Sequence, residues 1–458
     1  MRIILTLLAL IWFLPQTALA VSSESLSELW GLDQSQVKAS VSKLYDLGNI
    51  KVEEMHYFSR SYNGKPARIF GYFCYPSNLK RPLPAILIVH GGGGGASRYR
   101  AVNWAKKGYA TLAIDLPGKG ERRINSRSTG PDMEVPNLMD VSSDNYLIHA
   151  VAAARNAITY LTQRKEVDAH RLGMIGLSWG GVITLLTNGQ DDRLKAAVNI
   201  FGAGYLPEGS TWQEYFDSFS KEQMDFWCSS LDPQNFLATQ KAPMLFVTGT
   251  NDHCYYLPTF QKSYEQATND KCLWVIPNLK HRFLPYMENS CLAWFEKYLK
   301  NRGGFEGLTL LPVYLSNNNE IIVSVKAKSA EELVNAKLYF SPGGPQQWTH
   351  KRWSDLAPVY KDYSQGIFYF ALSPQLISPE ILFFVEGQDI FRGSFSTPVR
   401  SLFKVKLEDG GLTYGLSAPL KNYYRHEAPI TLLNGMDGQR FYFMLSAKDQ
   451  AYRTSNRI

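Results

Sequence analysis

Ser178, Asp252 and His281 have the types, and follow one another in the order, that nucleophilic catalysis at a carbonyl requires. Ser178 sits in Gly176-Leu177-Ser178-Trp179-Gly180, a Gly-x-Ser-x-Gly pattern between the apolar run Leu172–Ile175 and helix-compatible residues from Val182 to Leu186. Such a pattern makes a sharp strand-to-helix turn, with the serine backbone strained and its hydroxyl exposed. The flanking glycines leave room for strand and helix to pass closely. A serine hydroxyl is a weak nucleophile until a base takes its proton, and the base needs a carboxylate to orient it. Asp252 follows the run Val247-Thr-Gly-Thr-Asn-Asp252, and His281 follows Leu273–Ile276 through Pro277-Asn-Leu-Lys. Both therefore lie beyond the carboxyl ends of predicted strands, on the edge that carries Ser178. A lone aspartate in a loop is usually a turn residue, and a lone histidine is usually structural. Three such residues in this order and at these strand ends point to chemistry instead.

Other residues compete for these roles. His253 adjoins Asp252 but precedes the next strand, which disfavours it as the base. Asp115 ends a strand but lies before the serine in the chain, so it is read as structural. His90 opens the run His90-Gly91-Gly92-Gly93-Gly94-Gly95 and is read as shaping that loop. The run itself matters because a developing oxyanion needs N–H donors already aimed at it. The amide of Trp179 is one candidate donor, and Gly92 or Gly93 supplies the other. A phosphate-binding loop would need Lys-Ser or Lys-Thr after the glycines, and none follows.

The elements that must position these residues can be read around them. Lys51–Ser59 and Ala67–Tyr75 read as strands about the turn Tyr62–Lys65, and Pro84–His90 as a central strand buried on both faces. Helices near 97–107, 145–162, 259–268 and 291–299 alternate with strands at 109–115, 172–175, 196–200, 243–249 and 273–276. The alternation means a mostly parallel sheet with helices on both faces, spanning 51–300. Ahead of it, 21–50 reads as a helical lead-in, with Val37, Val41 and Leu44 at helical spacing. After Asn301-Arg-Gly-Gly304 the texture becomes short strands separated by turns. Residues 305–458 are expected to form an accessory antiparallel β-sandwich of immunoglobulin-like kind. Two insertions should shape the pocket: Glu121–Asp144 as a rim loop, and Tyr205–Leu237 as a lid or wall. The second carries Trp212, Tyr215, Phe216, Phe219, Phe226 and Trp227.

Composition bounds the rest. The chain has 458 residues, 45% hydrophobic and 19% charged, which is a globular composition with enough apolar content for two or three domains. Arg2, the apolar stretch Ile3–Leu14 and Ala18-Leu19-Ala20 read as a cleaved signal peptide over 1–20, giving a secreted or periplasmic protein. That stretch is too short to span a bilayer comfortably, and no later one is long enough. The net charge of +7 comes from dispersed lysines and arginines, so no nucleic-acid partner is indicated. Five cysteines remain, Cys74, Cys228, Cys254, Cys272 and Cys291, in no metal-binding spacing. Cys74 reads as a core residue; pairing among the other four stays open. The sequence leaves the oligomeric state open too.

His90-Gly-Gly-Gly-Gly, Trp104-Ala-Lys-Lys-Gly-Tyr-Ala, Ile114-Asp-Leu-Pro-Gly and Glu166-Val-Asp-Ala-His-Arg-Leu-Gly-Met-Ile-Gly-Leu-Ser-Trp-Gly-Gly resemble the α/β-hydrolase superfamily. The similarity covers roughly 51–300. It is greatest to the acetyl xylan esterase-like, dienelactone hydrolase-like and prolyl oligopeptidase-like branch. The stretch Pro117-Gly-Lys-Gly-Glu-Arg stands where the polysaccharide deacetylase branch carries an Arg-Gly-Gln pattern. The resemblance implies a serine hydrolase without metal or organic cofactor. The expected activity is cleavage of carboxylic esters, including acyl groups on carbohydrate, through an acyl-enzyme. The alternatives are a peptidase with the same triad and a non-catalytic binding protein on this scaffold.

Overall fold

The computed structural model describes residues 26, 28–32, 36–118, 127–303, 307–327, 333–344, 348–407, 411–417, 430–433 and 442–443. The expected signal peptide, residues 121–126 of the expected rim loop and most of 440–445, one of the carboxyl-terminal runs that the sequence predicts as a strand, lie outside them. The centre is a nine-stranded sheet. Its strands are β1 (Ala39–Leu47), β2 (Ile50–Tyr62), β3 (Lys65–Pro76), β4 (Leu83–Val89), β5 (Ala110–Ile114), β6 (Val167–Leu177), β7 (Leu194–Ile200), β8 (Met244–Gly249) and β9 (Lys271–Ile276), in spatial order 1-2-3-5-4-6-7-8-9. From β5 to β9 every pairing is parallel, while β1 to β3 form an antiparallel meander joined to β5. The parallel strands are nearly continuous apolar runs because helices cover both faces. In β4, Pro84 to Val89 are all buried.

The covering helices are α1 (Arg98–Lys106), α2 (Tyr146–Thr162), α3 (Trp179–Asn188), α4 (Leu257–Gln266) and α5 (Met287–Lys300). Strand β6 displays both faces at once. A Cβ on Gly173 would lie 2.7 Å from Phe295 of α5. Three residues on, and so across the sheet, a Cβ on Gly176 would lie 1.9 Å from the Gly180 carbonyl oxygen at the start of α3. No side chain fits between β6 and α3 at that point, which lets the chain reverse direction around Ser178.

The residues before β2 depart from the helical reading. Leu26 to Leu29 include helical positions, and Trp30 is buried with its Nε1–H donating to the Ser230 carbonyl at 3.1 Å. Ala39–Leu47, however, is a strand paired antiparallel with β2 from Ala39↔Tyr57 to Leu47↔Ile50. Gly48, at φ 61°, closes the hairpin, and that pairing overrides the spacing of Val41 and Leu44. Both side chains are largely exposed, at 47% and 58%, so they form no helical stripe against the core. Only Val37 of that set is buried. A bulge interrupts the ladder between Val41 and Lys43.

Beyond α5 the described strands form two antiparallel sheets. One contains Leu308–Leu310, Tyr314–Leu315, Ile321–Ala327, Tyr360–Asp362 and Ile367–Leu372. The other is built around Leu333–Pro342, Glu380–Asp389 and Arg400–Lys406. This β-region adjoins the last strand of the central sheet. The Ser396 hydroxyl accepts from the Val275 amide at 2.9 Å, and the Glu386 carboxylate accepts from Trp274 Nε1 at 2.7 Å. Among the described residues no helix is long and apolar enough to cross a membrane.

Gly176→Ala is expected to destabilise the protein by about 3 kcal/mol or more, because its Cβ meets backbone that cannot retreat. Thermal unfolding followed by circular dichroism checks this; an unchanged midpoint would mean that β6 and α3 are not packed at this distance.

Candidate active site

Ser178 is the hinge of the β6–α3 turn. Its φ of 57° and ψ of −120° lie outside the regions open to most residues, and the Ser178 amide is held to the Ile200 carbonyl at 2.8 Å. The strain is supported from both sides, since a Cβ on Gly180 would come within 2.4 Å of the Val89 carbonyl. The turn lifts the Ser178 side chain into a cavity of about 790 Å³ that His281 also lines.

Asp252 and His281 meet at the carboxyl ends of β8 and β9. Both oxygens of Asp252 lie 3.0 Å from His281 Nδ1. Asp252 is fully buried, and its Oδ1 also accepts from the amides of Cys254 at 2.7 Å and Tyr255 at 3.1 Å. A carboxylate filled in this way fixes the imidazole with Nδ1–H toward Asp252 and Nε2 left for another partner. No hydrogen bond joins Ser178 to His281 in this structure. Such a bond often tightens only when substrate arrives. The Phe201 ring lies 4.8 Å from the His281 ring, between centroids, and supports it from one side. Phe201 itself stands at φ 68°, an outlier for so bulky a residue.

The competing residues take other roles. His253 is exposed at the cavity lining and its ring is 5.9 Å from that of His281. His90 accepts the Leu116 amide at Nε2, 3.0 Å away, so Nδ1–H donates to the Gly91 carbonyl at 2.7 Å. Asp115 accepts from the Ala96 amide at 2.7 Å and from the Ser128 hydroxyl. The imidazole of His90 is thus committed to shaping the glycine loop, and Asp115 to holding its far end.

In that loop the Gly94 amide closes a turn on the Gly91 carbonyl, with Gly93 at φ 67°. Among the described residues, no backbone carbonyl accepts from the amide of Gly92 or Gly93. The Trp179 amide is in the first turn of α3, where N–H groups have no partner inside the helix. Gly91 is the glycine that packs on the nucleophile: a Cβ there would lie 2.9 Å from Ser178 Cβ. A Cβ on Gly92 would meet Trp179 Cδ1 at 2.9 Å, so the loop needs bare backbone at both positions.

Sequence reasoning missed Tyr255. It is fully buried, and Ser178 is among the groups that act on its hydroxyl. Burial raises its pKa well above the ordinary tyrosine value, so the phenol stays a neutral donor. Only its closeness to Asp252 in the chain hinted at such a place.

The segment 205–237 forms cavity wall. Trp212, Tyr215, Phe216, Phe219 and Trp227 all line the cavity, while Phe226 does not. Trp212 packs against both Trp179 and Tyr255, with ring centroids 5.1 and 4.9 Å apart. Buried Asp232 pins the segment by accepting from the Tyr205, Leu206 and Gln234 amides and from Trp227 Nε1. Met133, Leu138 and Met139 from the other insertion complete the rim. Arg100 reaches the cavity with its guanidinium 4.6 Å over the Phe283 ring.

Asp252, Cys254 and His281 offer ligand atoms within 4.8 Å of one another. They make a poor cation cage, because the carboxylate is already filled and burial pushes the Cys254 thiol up to about 12. None of the five cysteines is joined in a disulfide.

The nucleophile turn, the Asp–His pair at later strand ends and the β5-β4-β6-β7-β8-β9 order define an α/β-hydrolase domain. Residues 69–291 match the model of the dienelactone hydrolase family. Over 250 residues, 51% of this chain and 56% of its own, acetyl esterase Axe7A of Xylanibacter ruminicola is 24% identical. A peroxisomal succinyl-coenzyme A thioesterase of Mus musculus is 25% identical over 211 residues, 42% of this chain and 44% of that protein. The chain thus spans about half the length of these curated relatives. The solved acetyl xylan esterase from Paenibacillus sp. R4 superposes with a TM-score of 0.52 at 23% identity, covering 60% of this chain and 93% of that one. That likeness is one of fold.

With its pKa near 12, the Cys254 thiol is protonated at pH 8, where a free cysteine is partly thiolate. Alkylation of Cys254 by iodoacetamide in the folded protein should run at least about a hundredfold slower than that of free cysteine. Peptide mass spectrometry over time measures this, and modification at the free-cysteine rate would contradict the protonated thiol.

Proposed function

We infer that the protein is a serine hydrolase of carboxylic esters, exported from the cell and acting on acyl groups carried by carbohydrate. The observation that carries this reading is the bidentate Asp252–His281 contact at 3.0 Å, facing the same cavity as a strained, glycine-flanked Ser178.

In the proposed reaction Ser178 Oγ attacks the ester carbonyl carbon while His281 Nε2 takes the hydroxyl proton. The carbonyl oxygen becomes an oxyanion held by the amides of Trp179 and of Gly92 or Gly93. Collapse of this intermediate breaks the bond to the alkoxy oxygen, which leaves as an alcohol with the proton from His281. Water, deprotonated by the same imidazole, then releases the acid and restores Ser178. Asp252 stabilises the imidazolium formed in each half and keeps its Nδ1–H turned inward. The buried Tyr255 phenol stands beside Ser178 as a neutral group.

Two features support the substrate class. The aromatic wall around Trp212, Tyr215 and Phe219 suits the faces of sugar rings, and the Xylanibacter relative is named an acetyl esterase. Export rests on Arg2, Ile3–Leu14 and Ala18-Leu19-Ala20.

A fluorophosphonate should label the protein at Ser178, and labelling should vanish in Ser178→Ala. A panel of acetylated sugars, aryl esters and peptide amides then separates esterase from peptidase; turnover confined to amides would reject the ester reading. Asp252→Asn should lower kcat by roughly three to four orders of magnitude through the wrong imidazole orientation. A loss below tenfold would assign the orienting role to another carboxylate.

Tyr255→Phe removes the buried hydroxyl that interacts with Ser178 and should lower kcat roughly tenfold with the fold intact. Unchanged turnover would mean that the phenol is only a packing residue.

A further inference from the structure

We propose that the carboxyl-terminal β-region is part of the catalytic apparatus, with Asn251 and Asn278 as positioning residues that hold Asp252 and His281 in register against the segment Trp348–Trp353. This inference rests on the serine-hydrolase reading above. It replaces the expectation of an accessory appendage.

The two loops that carry the acid and the base are not held by the central sheet alone. Asn251, next to Asp252 and itself buried, points its amide nitrogen at three carbonyls of one turn of the β-region. Those of Trp348 and Thr349 lie at 3.3 Å and that of Lys351 at 2.7 Å. Asn278, three residues before His281, forms a two-way bridge with Trp353, donating to its carbonyl and accepting from its amide, both at 2.9 Å. Thr250 joins the two asparagines. Its hydroxyl donates to Asn251 Oδ1 at 2.6 Å and accepts the Asn278 amide at 2.8 Å. The Asn251 amide bonds the Leu279 carbonyl at 3.0 Å, which ties one loop directly to the other.

The result is a closed network in which Trp348–Trp353 is the common anchor of both loops. Asn278 stands at φ 57°, a left-handed conformation that this network holds in place. A shift of either loop would move Asp252 relative to His281, and a displacement of about 1 Å at a catalytic group costs on the order of a hundredfold in rate. Asparagine suits both positions, because its amide offers a donor and an acceptor at one point and satisfies buried backbone groups without adding charge.

The β-region is also fastened outside these loops, at Gln261 of α4. The Gln261 side chain donates to the Val399 carbonyl at 3.1 Å and accepts from its amide at 2.8 Å. This second fastening supplies the control, since it holds the same two units together without touching the loop of Asp252 or of His281.

The test uses the full chain with Asn251→Ala, Asn278→Gly and Gln261→Ala. Glycine at 278 keeps the left-handed backbone accessible while removing the amide. Kinetics on a soluble aryl ester are measured well below each variant's unfolding midpoint. Asn251→Ala and Asn278→Gly are expected to lose tenfold or more in kcat, with KM within about twofold and slower fluorophosphonate labelling. Gln261→Ala should keep kcat within about twofold, whatever it loses in unfolding midpoint. Folded asparagine variants with wild-type kcat overturn the proposal, as does an equal kcat loss in all three, which would make docking as a whole responsible. A wild-type chain that neither labels nor turns over an ester overturns the serine-hydrolase reading itself, and the proposal with it.

Discussion

A carboxylate removed from water must be given hydrogen bonds by the protein, and Asp252 is completely removed. Much of the surrounding architecture follows from this requirement. Two donors come from the loop's own backbone at Cys254 and Tyr255, which bends the chain back under the side chain. The third is His281, delivered from the next strand. A loop bent so tightly needs support along its outer side, where Thr250, Asn251 and Asn278 pass the load to the β-region. The acid is therefore fixed by contacts within its loop, and the loop by contacts far away in sequence.

The nucleophile obeys a different constraint. Its position depends on the absence of atoms: bare backbone at Gly176 and Gly180 lets β6, α3 and β4 approach within carbonyl contact. The acid and base are held by donors and acceptors, the serine by steric fit. Parallel strand pairing brings the two kinds of support to the same sheet edge, and the aromatic wall pinned by Asp232 closes the space above them.

How far the sequence could be read follows the range of the interactions. Strands β4 to β9 were legible because burial on both faces leaves an apolar run in the chain itself. Ser178 was legible because its steric requirement is written in adjacent glycines. The pocket-wall reading of 205–237 was legible in its cluster of aromatics, although it could not exclude Phe226. Strand β1 was not legible, since Val41 and Leu44 mimic a helical spacing while the true determinant is a turn at Gly48 and a partner in β2. Asn251 and Asn278 gave no signal at all. Their partners lie 97 and 75 residues further along, beyond the reach of any local pattern.

The two margins of the central sheet are unlike. At β9 the chain's own carboxyl-terminal strands cover the margin, whereas β1 ends the other side with an almost fully exposed strand. An uncovered strand of this kind is a template on which a second molecule can add a strand of its own and begin aggregation. Here the bulge between Val41 and Lys43 breaks the row of evenly spaced amides and carbonyls, and Lys43 sets a charge beside the break. An added strand would lose its register at that point and would have to strip water from the ammonium group. Among the described residues this margin is uncovered, and the irregularity in β1 works against edge-to-edge pairing there.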